Sequence, residues 1–484
     1  MSTVGKRDFR PKIHFTPQKM WTNDPNGLVY ANGKYHLFYQ HHPEDTVWGP
    51  MHWGHAVSTD LIHWEHLPIA LYPDELGTIF SGSAVFDSEN TSGFGTPENP
   101  PIVAMYTQDY QAEGIHCQNQ SIAYTLDGVH FTKYSGNPVI PCPEGRVDFR
   151  DPKIFRNRIR NCWGMVLAAG DHVEFFASQD LIHWEKTGEF GPAGNCAPGV
   201  WECPDLFELP TPTGTRYVLL VSMGMDVQQG GSRTQYFVGF FDGETFRPER
   251  VESAPLWLDE GFENYAGVTF DNTDSRILLG WANSWPYAPQ CPTGDFCGSM
   301  TLPRRLSLRE TPVGLRLACN PIGLEPYLDP VQEIAFGDPL PGETFALSVK
   351  GSGDGEISLE NSDGQILRFG IRDNVFFFDR SHGGDVSFSD VFASGSYSRR
   401  EVSRIFSGDW NLEVVFDVSQ IELFLDGGVQ SMSCLVFPDT PYARLSLDAP
   451  AMSKLRIAEI PIEKILSRAR LSLDVNRAAR RYLR

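Results

Sequence analysis

The sequence predicts an all-β protein in which a five-bladed β-propeller is followed by a C-terminal β-sandwich. Two observations predict the propeller: a segment of about 60 residues recurs through the first two thirds of the chain, and each copy contains short runs of alternating apolar residues. A third observation predicts the second domain, because the repeat stops near residue 325 while alternating runs continue to residue 460. The 484 residues are also more than one hydrophobic core needs.

The repeat is clearest between residues 58–65 and 178–185, which share six consecutive residues, Asp-Leu-Ile-His-Trp-Glu, at an offset of 120. Weaker copies of the motif occur at residues 125–131 and 241–246. The aspartates of the four copies are Asp60, Asp127, Asp180 and Asp242. This spacing gives a period of about 60 residues, so about five copies fit before residue 325.

Each copy is typical of antiparallel hairpins. In the first copy, apolar and polar residues alternate over residues 27–30, 35–39 and 52–57, and Asn-Gly or Asp-Gly turns separate such runs along the chain. Four short strands per copy, repeated five times without helical periodicity, predict a propeller, which leaves only short and protected strand edges.

Composition divides the chain into four regions. The propeller is assigned to residues 1–322, and the stretch 323–340, rich in proline and acidic residues, is assigned to a linker. Residues 341–460 contain alternating runs without the repeat, which predicts a β-sandwich. Residues 461–484 form a basic tail with seven basic and two acidic residues, a net charge of +5. We expect this tail to be a solvated or self-docking segment, or alternatively a subunit contact.

Charge and hydropathy exclude two classes of partner. The chain has 40 Lys and Arg against 61 Asp and Glu, a net charge of −21 with a sequence pI of about 5.0, so nucleic acid is repelled over most of the surface. No apolar run approaches the roughly 20 residues that cross a bilayer, and the first twelve residues lack the apolar core of a signal peptide. We therefore expect a cytoplasmic protein that binds neither nucleic acid nor a membrane.

The cysteines and histidines do not predict a metal site. The nine cysteines are scattered through a large chain, and we interpret them as reduced thiols. Only Cys291 and Cys297 lie close together, and no Cys-x-x-Cys pair accompanies them. The histidines of residues 52–66 stand beside tryptophan or leucine in strand-like runs, which favours a structural role.

Three acidic residues stand at corresponding places in the repeat. Asp24 and Asp151 each precede a proline, and Glu202 lies two residues before Pro204, in segments that lead into apolar strands. Because the innermost strands of a propeller converge on one axial funnel, acids at their starts can meet. For each acid alone a structural interpretation stays open, since Asp before Pro is a common turn that caps its own backbone. Two carboxylates in an aromatic-lined pocket are what glycoside hydrolysis requires.

Six motifs surround these acids. They are Asn23–Gly27, Phe38–Gln40, Trp48–His55, Phe80–Ser83, Arg150–Pro152 and Glu202–Pro204. Together they resemble glycoside hydrolase family 32, the β-fructofuranosidases, over residues 14 to about 320. The resemblance implies a five-bladed propeller followed by a β-sandwich, in agreement with the repeat.

The resemblance also implies a role for each acid. Asp24 would be the nucleophile that forms a covalent fructosyl-enzyme, and Glu202 would protonate the glycosidic oxygen and then activate water. Asp151 would stabilise the transition state by binding fructose hydroxyls. These roles predict net retention. No metal or organic cofactor is expected, because both catalytic functions are carboxyls.

The other motif residues are expected to line a sugar pocket. Hydrogen bonds to sugar hydroxyls are expected from Asn23, Gln40, Ser81 and Arg150. Apolar faces are expected from Trp48, Phe80 and Trp285. Cys203 is expected to lie beside the acids and to tune them. Trp285 is open to a second interpretation, as a core residue of the propeller. Two departures from the family pattern stand out. Thr22 replaces the usual Met, which we expect to be tolerated, and Arg304-Arg305 replaces the usual Arg-Glu, which we expect to alter the outer wall of the pocket.

The expected activity is cleavage of terminal non-reducing β-D-fructofuranosyl residues from sucrose and short fructo-oligosaccharides. Residues 48–71 look most like intracellular bacterial sucrose hydrolases. One alternative is a sucrose 6-phosphate hydrolase, which needs a basic cluster at the rim, with Arg233, Arg304 and Arg305 as candidates. A second is a fructosyltransferase that uses the same intermediate.

A propeller that only binds carbohydrate is disfavoured, because all three acids are present. The expected partner is a small sugar substrate. A homo-oligomer formed through the C-terminal domain or the tail is a further expectation.

Overall fold

The computed structural model describes residues 7–112, 114–192, 199–224, 231–334, 337–448, 452–461 and 463. Five small antiparallel sheets surround a common axis, and two larger sheets follow them in the chain. The predicted fold class, a five-bladed β-propeller followed by a β-sandwich, is confirmed. Within the described residues, no helix is long and apolar enough to cross a membrane.

The first three blades each contain four strands. Blade I consists of β1 (Met20–Ala31), β2 (Lys34–His42), β3 (His52–Ser58) and β4 (Trp64–Leu71). Blade II consists of β5 (Thr78–Phe86), β6 (Ile102–Ala112), β7 (Ile115–Thr125) and β8 (Thr132–Lys133). Blade III consists of β9 (Arg150–Asn157), β10 (Cys162–Ala168), β11 (Val173–Ser178) and β12 (Glu185–Phe190).

Blade IV contains five strands and blade V contains four. Blade IV consists of β13 (Trp201–Thr211), β14 (Gly214–Met223), β15 (Arg233–Phe241), β16 (Phe246–Pro248) and β17 (Leu256–Trp257). Blade V consists of β18 (Tyr265–Thr269), β19 (Ile277–Trp281), β21 (Arg304–Thr311) and β22 (Gly314–Pro321). Between β19 and β21 the chain forms a 3₁₀ turn, Ala288–Gln290, and strand β20 (Phe296–Cys297), which pairs in parallel with β1 of blade I.

The repeated aspartates form the turn between the third and fourth strands of blades I to IV. In each turn one carboxylate oxygen accepts hydrogen bonds from the backbone N–H groups two and three residues later, as Asp60 does from Ile62 at 2.9 Å and His63 at 2.8 Å. The residue after each aspartate has a positive φ. This residue is Gly in two copies, and a buried Leu, Leu61 or Leu181, in the two most similar copies.

The first strands of the five blades contact one another around the axis, and each contains a β-bulge at the same level. At each bulge two residues oppose one residue of the second strand. The bulged pairs are Asn23-Asp24, Phe80-Ser81, Asp151-Pro152, Cys203-Pro204 and Ala266-Gly267. A bulge redirects side chains, so this ring turns the bulged residues of five strands toward one end of the axis.

Hydrogen bonds between blades I and V close the ring. The N–H of Tyr30 donates to the carbonyl of Asp271 at 3.0 Å, and the N–H of Asp271 donates to the carbonyl of Leu28 at 2.9 Å. Strand β20 adds a second connection on the other part of β1.

The C-terminal domain consists of two facing sheets around one apolar core. The six-stranded sheet contains β23 (Gln332–Glu333), β24 (Thr344–Gly351), β29 (Trp410–Asp417), β30 (Gln420–Leu425), β31 (Gln430–Leu435) and β33 (Met452–Glu459). The five-stranded sheet contains β25 (Gly355–Glu360), β26 (Ile366–Arg372), β27 (Val375–His382), β28 (Arg399–Ser403) and β32 (Arg444–Asp448). Two single-turn helices, α1 (Asp390–Ala393) and α2 (Gly395–Ser398), precede β28.

Two segments pack on the sandwich although the predicted domain limits place them outside it. Residues 332–333, inside the predicted linker, pair with the sandwich as β23, and residues 325–327 of that stretch form a 3₁₀ turn. The N-terminal segment, predicted as propeller, packs on the sandwich: Phe9 contacts Phe437, and its carbonyl accepts from Ser419 at 2.7 Å. Except for residues 461 and 463, the predicted basic tail lies outside the described residues.

A buried cluster of charges joins the two domains, and we call it the Arg304 cluster. Its members are His14, Asp259, Arg304, Asp417 and Glu422. Arg304 is fully buried and donates to Asp259 and Glu422, each at 2.8 Å. The expectation that Arg304 and Arg305 form part of the outer pocket wall is therefore wrong, since Arg304 lies in the domain interface and Arg305 lies exposed on β21.

Candidate active site

A cavity of about 260 Å³ lies at the end of the axis where the five bulges meet. Of the eleven site residues predicted from the sequence, the cavity is lined by all except Cys203, namely Asn23, Asp24, Gln40, Trp48, Phe80, Ser81, Arg150, Asp151, Glu202 and Trp285. Cys203 lies directly behind the lining, where it contacts two of the acids. The structure therefore brings the predicted residues together, from blades I to IV and the segment after β19.

Asp24 is buried at the bulge of β1 and is surrounded by hydrogen-bond donors. Its Oδ2 accepts from the hydroxyl of Ser81 at 2.6 Å, and its Oδ1 accepts from the amide of Asn23 at 3.1 Å. Trp21 fixes that amide by donating its indole N–H to the Asn23 oxygen at 2.7 Å. Burial raises the pKa of Asp24, the Ser81 hydrogen bond opposes this, and the charge of Glu202 raises the pKa further.

Asp151 occupies the bulge of β9 in a left-handed conformation, with φ of 64°. Its Oδ2 accepts from the backbone N–H of Cys203 at 2.9 Å, and its own N–H donates to the Thr107 hydroxyl at 3.0 Å. Burial raises the pKa of Asp151 to about 7, because the opposing charge of Arg150 does not compensate for burial and for the nearby carboxylates.

Cys203 connects the two aspartates. Its thiol lies 3.4 Å from Asp24 Oδ2 and 3.6 Å from Asp151 Oδ2, while its backbone N–H donates to Asp151. Burial and the three surrounding carboxylates raise the pKa of this thiol well above its usual range. Cys203 therefore stays a neutral thiol that offers its hydrogen to the acids.

Glu202 is partly exposed at the start of β13, and both of its oxygens have partners. Arg150 donates to Oε1 through Nη2 at 3.0 Å and Nε at 3.3 Å. The hydroxyl of Tyr265, from blade V, donates to Oε2. Tyr265 was missed in the sequence, although its place directly before the Ala266 bulge corresponds to that of Glu202 before the Cys203 bulge.

Three aromatic side chains form apolar parts of the cavity. Trp48 is 47% exposed and packs edge-on against Phe80, with ring centroids 6.2 Å apart. Trp285 is half-buried and stacks on Trp21 at 5.8 Å. Trp285 thus lines the cavity with one side and packs on the propeller core with the other, and its contact with a sugar stays a prediction.

Four further lining residues were missed in the sequence: Asp109, Gln111, His116 and Gln118. They belong to the hairpin of β6 and β7, where Asp109 pairs with Gln118 and Gln111 pairs with His116. A signal was present, because polar residues alternate at spacing two on both sides of the turn and therefore share one face of the hairpin.

Comparison with known proteins agrees with this architecture. Residues 14–321 match the N-terminal domain of glycosyl hydrolases family 32, and residues 342–460 match the C-terminal domain of that family. The chain belongs to glycosyl hydrolase family 32. It is 42% identical over 477 residues to a levanase of Bacillus subtilis, covering 93% of this chain and 69% of the levanase.

Solved structures of the family superpose closely. The exo-inulinase of Aspergillus awamori has a TM-score of 0.85 at 32% identity, with 95% of this chain and 99% of that chain covered. A fructofuranosidase of Schwanniomyces occidentalis, complexed with fructosylnystose, has a TM-score of 0.84 at 29% identity, with 95% and 99% covered. The family 32 fold of this chain therefore includes the C-terminal domain as well as the propeller, and the chain is a glycoside hydrolase that acts on fructosyl residues.

Proposed function

We propose that the chain removes terminal β-D-fructofuranosyl residues by double displacement, with Asp24 as nucleophile, Glu202 as acid and base, and Asp151 as stabiliser of the transition state. The observation that carries this proposal is the convergence of these three carboxyls in one cavity of a family 32 propeller. The chemistry needs one carboxylate to attack and one carboxylic acid to release the leaving oxygen.

The surroundings of Asp24 support its role as nucleophile. The donors Ser81, Asn23 and Cys203 favour the ionised form of a carboxyl that burial disfavours. In the first step an Asp24 oxygen bonds to the anomeric carbon while the bond from that carbon to the leaving oxygen breaks. In the second step a water oxygen attacks the same carbon and Asp24 departs as a carboxylate, so the configuration is retained.

The partners of Glu202 determine where its proton resides. Arg150 has only donors, and its Nε and Nη2 both face Oε1, so Oε2 is the oxygen that transfers a proton when Glu202 acts as the acid. Oε2 also receives the Tyr265 hydroxyl, which orients the carboxyl. Glu202 gives this proton to the glycosidic oxygen in the first step and takes a proton from water in the second.

The pocket supports attack at chain ends. Beneath the acids, Lys153 from β9 and Asp205 from β13 form a buried ion pair at 3.1 Å, and Lys153 also donates to the carbonyl of Thr269 from β18. Because these three strands are innermost in their blades, the pair lies toward the axis below the cavity. This arrangement favours entry of a terminal residue from the open end over threading of a polymer along the axis.

The relatives support a wider substrate range than the sequence motifs suggested. Similarity to the levanase and the exo-inulinase supports the ends of levan and inulin as further substrates of this chain, in addition to sucrose and short fructo-oligosaccharides. The two expected alternatives differ in support. A sucrose 6-phosphate preference is disfavoured, because Arg304 is bound by two carboxylates and Arg233 donates to Glu260 at 2.7 Å. Transfer to a sugar acceptor uses the same fructosyl-enzyme, so only product analysis separates it from hydrolysis.

The deciding experiment is sugar release by the purified protein from sucrose, sucrose 6-phosphate, 1-kestose, inulin and levan, with products resolved by chromatography. We expect free fructose from sucrose, 1-kestose and the polymer ends, with Glu202→Gln as the inactive control. Longer oligosaccharides at high sucrose concentration would make the protein a transferase, and a strong preference for sucrose 6-phosphate would restore that alternative. Release of fructose from none of the five would contradict the proposed function.

We also propose a cytoplasmic location and a subunit contact through the C-terminal region. The location is supported by the eight described cysteines, all free thiols, whereas the Aspergillus awamori exo-inulinase is named as extracellular. Fractionation of the source cells tests it, and activity in the medium would contradict it. Light scattering of a chain ending at Pro461 tests the contact, because an unchanged mass would remove the basic tail from any assembly.

A further inference from the structure

The wall formed by the β6–β7 hairpin contains a buried carboxylate that the proposed mechanism does not use. Asp109 is 6% exposed, and both of its oxygens accept hydrogen bonds. Oδ1 accepts from the His116 ring at 2.8 Å and from the Gln118 amide at 3.0 Å, and Oδ2 accepts from the Gln111 amide at 3.0 Å. Asp109 therefore organises the three other polar side chains of this wall.

Asp109 fixes the orientation of Gln118. The amide of Gln118 donates to Asp109, so its oxygen points away from that carboxylate. The oxygen accepts from the backbone N–H of Phe149 at 2.9 Å and from Arg150 Nη1 at 3.3 Å. An ionised carboxylate only accepts and the other two groups only donate, so a single orientation of the amide satisfies all three.

Gln118 in turn contacts the arginine that holds the proposed acid. Arg150 donates through Nη1 to Gln118 and Asp148, and through Nε and Nη2 to Glu202 Oε1. The guanidinium is planar, so fixing one of its terminal nitrogens also fixes the edge that faces Glu202. Asp109 is thereby connected to Glu202 through two side chains, without touching it.

We propose that Asp109 is a positioning residue that acts through Gln118 and Arg150 to place Glu202 for proton transfer to the leaving group. This inference rests on the proposed role of Glu202. Loss of the Asp109 acceptor leaves the Gln118 amide nitrogen without that partner, so Gln118 is held in this wall only at its oxygen, its 3.3 Å hydrogen bond to Arg150 Nη1 weakens, and the arginine loosens. Glu202 then donates its proton less effectively, while the fructosyl half of the site, around Asp24 and Asp151, keeps its hydrogen bonds.

The test compares two substrates that differ in their need for an acid. Sucrose has a poor leaving group, whereas p-nitrophenyl β-D-fructofuranoside releases a phenolate that leaves without protonation. For Asp109→Ala we expect kcat on sucrose to fall by about 10- to 100-fold with little change in KM, and kcat on the aryl fructoside to fall by less than about threefold. Asp109→Asn should retain most of the activity, because its amide oxygen still accepts from Gln118 and His116.

The connection between β4 and β5 offers a control in Asp74. This carboxylate also accepts from a glutamine amide, that of Gln108 at 2.6 Å, but Gln108 does not line the cavity. Asp74→Ala should leave both substrates unaffected. A double-mutant cycle gives a second readout: because Asp109 acts through Gln118, the double variant should be no slower on sucrose than Gln118→Ala alone.

Each outcome has a distinct meaning. Equal losses on the two substrates, an increase in KM alone, or additive effects in the cycle would overturn the positioning role of Asp109. Glu202→Gln is measured beside it. If Glu202→Gln also loses kcat equally on the two substrates, the proposed role of Glu202 is wrong. If Glu202→Gln loses more on sucrose than on the aryl fructoside but Asp109→Ala does not, only the positioning role of Asp109 is refuted.

Discussion

Two groups of buried carboxylates in this protein have opposite electrostatics. In the active site, burial raises the pKa of Asp24 and raises that of Asp151 to about 7. In the Arg304 cluster, the pKa values of Asp259, Asp417 and Glu422 are lowered, although burial opposes the charged form there too. Burial is common to both groups, so it does not by itself distinguish a catalytic carboxylate from a structural one.

The difference lies in the cations and donors around each group. Arg304 bridges Asp259 and Glu422, and His14 lies between Asp417 and Glu422. Among the described residues of the active site, Arg150 is the cation that forms ion pairs with Glu202 and Asp148. The interface carboxylates are compensated and hold the domains together, whereas the active-site acids keep uncompensated charge that a substrate and its cationic transition state can use.

The largest expected effect is the loss of turnover when an active-site carboxylate is replaced. Glu202→Gln should lower turnover on sucrose by about 10²- to 10⁴-fold, because the amide cannot transfer the proton. The free energy of unfolding should stay within about 0.5 kcal/mol of the wild type, since Glu202 is partly exposed. Steady-state kinetics and urea unfolding check this pair of values, and near-wild-type turnover would refute the assignment of the acid.

The reverse pattern is expected in the interface. Arg304→Met leaves Asp259 and Glu422 buried without their cation, and we expect the free energy of unfolding to fall by about 3–5 kcal/mol. The adjacent Arg305 is the control: it is exposed, and Arg305→Met should change stability by less than about 0.5 kcal/mol. Equal effects of the two variants in urea unfolding would mean that the cluster does not hold the domains together.

Removal of one active-site charge should stabilise the protein. The pKa of Asp151 is raised to about 7 in the folded state, so ionisation of Asp151 lowers the free energy of unfolding. This cost is absent below the ordinary pKa of an aspartate, grows as the pH rises toward about 7, and is complete above that pH. Asp151→Asn removes this cost and keeps an acceptor for the Cys203 N–H. We expect a gain on the order of 2–4 kcal/mol at pH 8 that disappears toward pH 4. A loss of stability at pH 8 in chemical unfolding would contradict this expectation.

Replacement of His14 should have the smallest effect on the free energy of unfolding, and this effect should depend on pH. Burial opposes its protonation, but hydrogen bonds to Asp417 and Glu422 raise its pKa to about 9. Its contribution to stability is therefore full below about pH 6.5 and is lost as pH rises through 9. The destabilisation caused by His14→Gln should shrink over this window. His36 is the control, because burial lowers its pKa to about 4 and the effect of His36→Gln should stay constant from pH 7 to 9.5.

Features that depend on nearby residues could be predicted from the sequence, and features that depend on distant pairing could not. The turns at Asp60 and Asp180 were visible as repeats because one oxygen of each carboxylate bonds to backbone groups two and three residues later in the sequence. The five bulges were not visible, since their residues differ in every blade and a bulge is defined by the strand opposite. The three acids were found through their motifs, not through this geometry.

The errors have the same physical origin. Arg304 was misplaced because its partner Glu422 lies 118 positions along the chain, in the other domain. Tyr265 was missed because its contact to Glu202, 63 positions earlier, arises only when strands of two blades are brought together. Asp109 was missed for a different reason, since its hairpin contact to Gln118 is local and the alternating polar residues that signal it were overlooked. The roles of individual site residues stay predictions that the experiments above test.

The N-terminal segment has a consequence for the order in which the molecule is assembled. The backbone of Lys12 donates to Asp417, 405 positions later, and Leu28 accepts from Asp271 of the last blade. A ribosome that adds roughly 5–20 residues per second needs on the order of 20–80 s to make the chain between Lys12 and Asp417. The segment around Lys12 is thus made long before it can dock, and the nascent propeller remains an open ring, without a working pocket, until its fifth blade has been made.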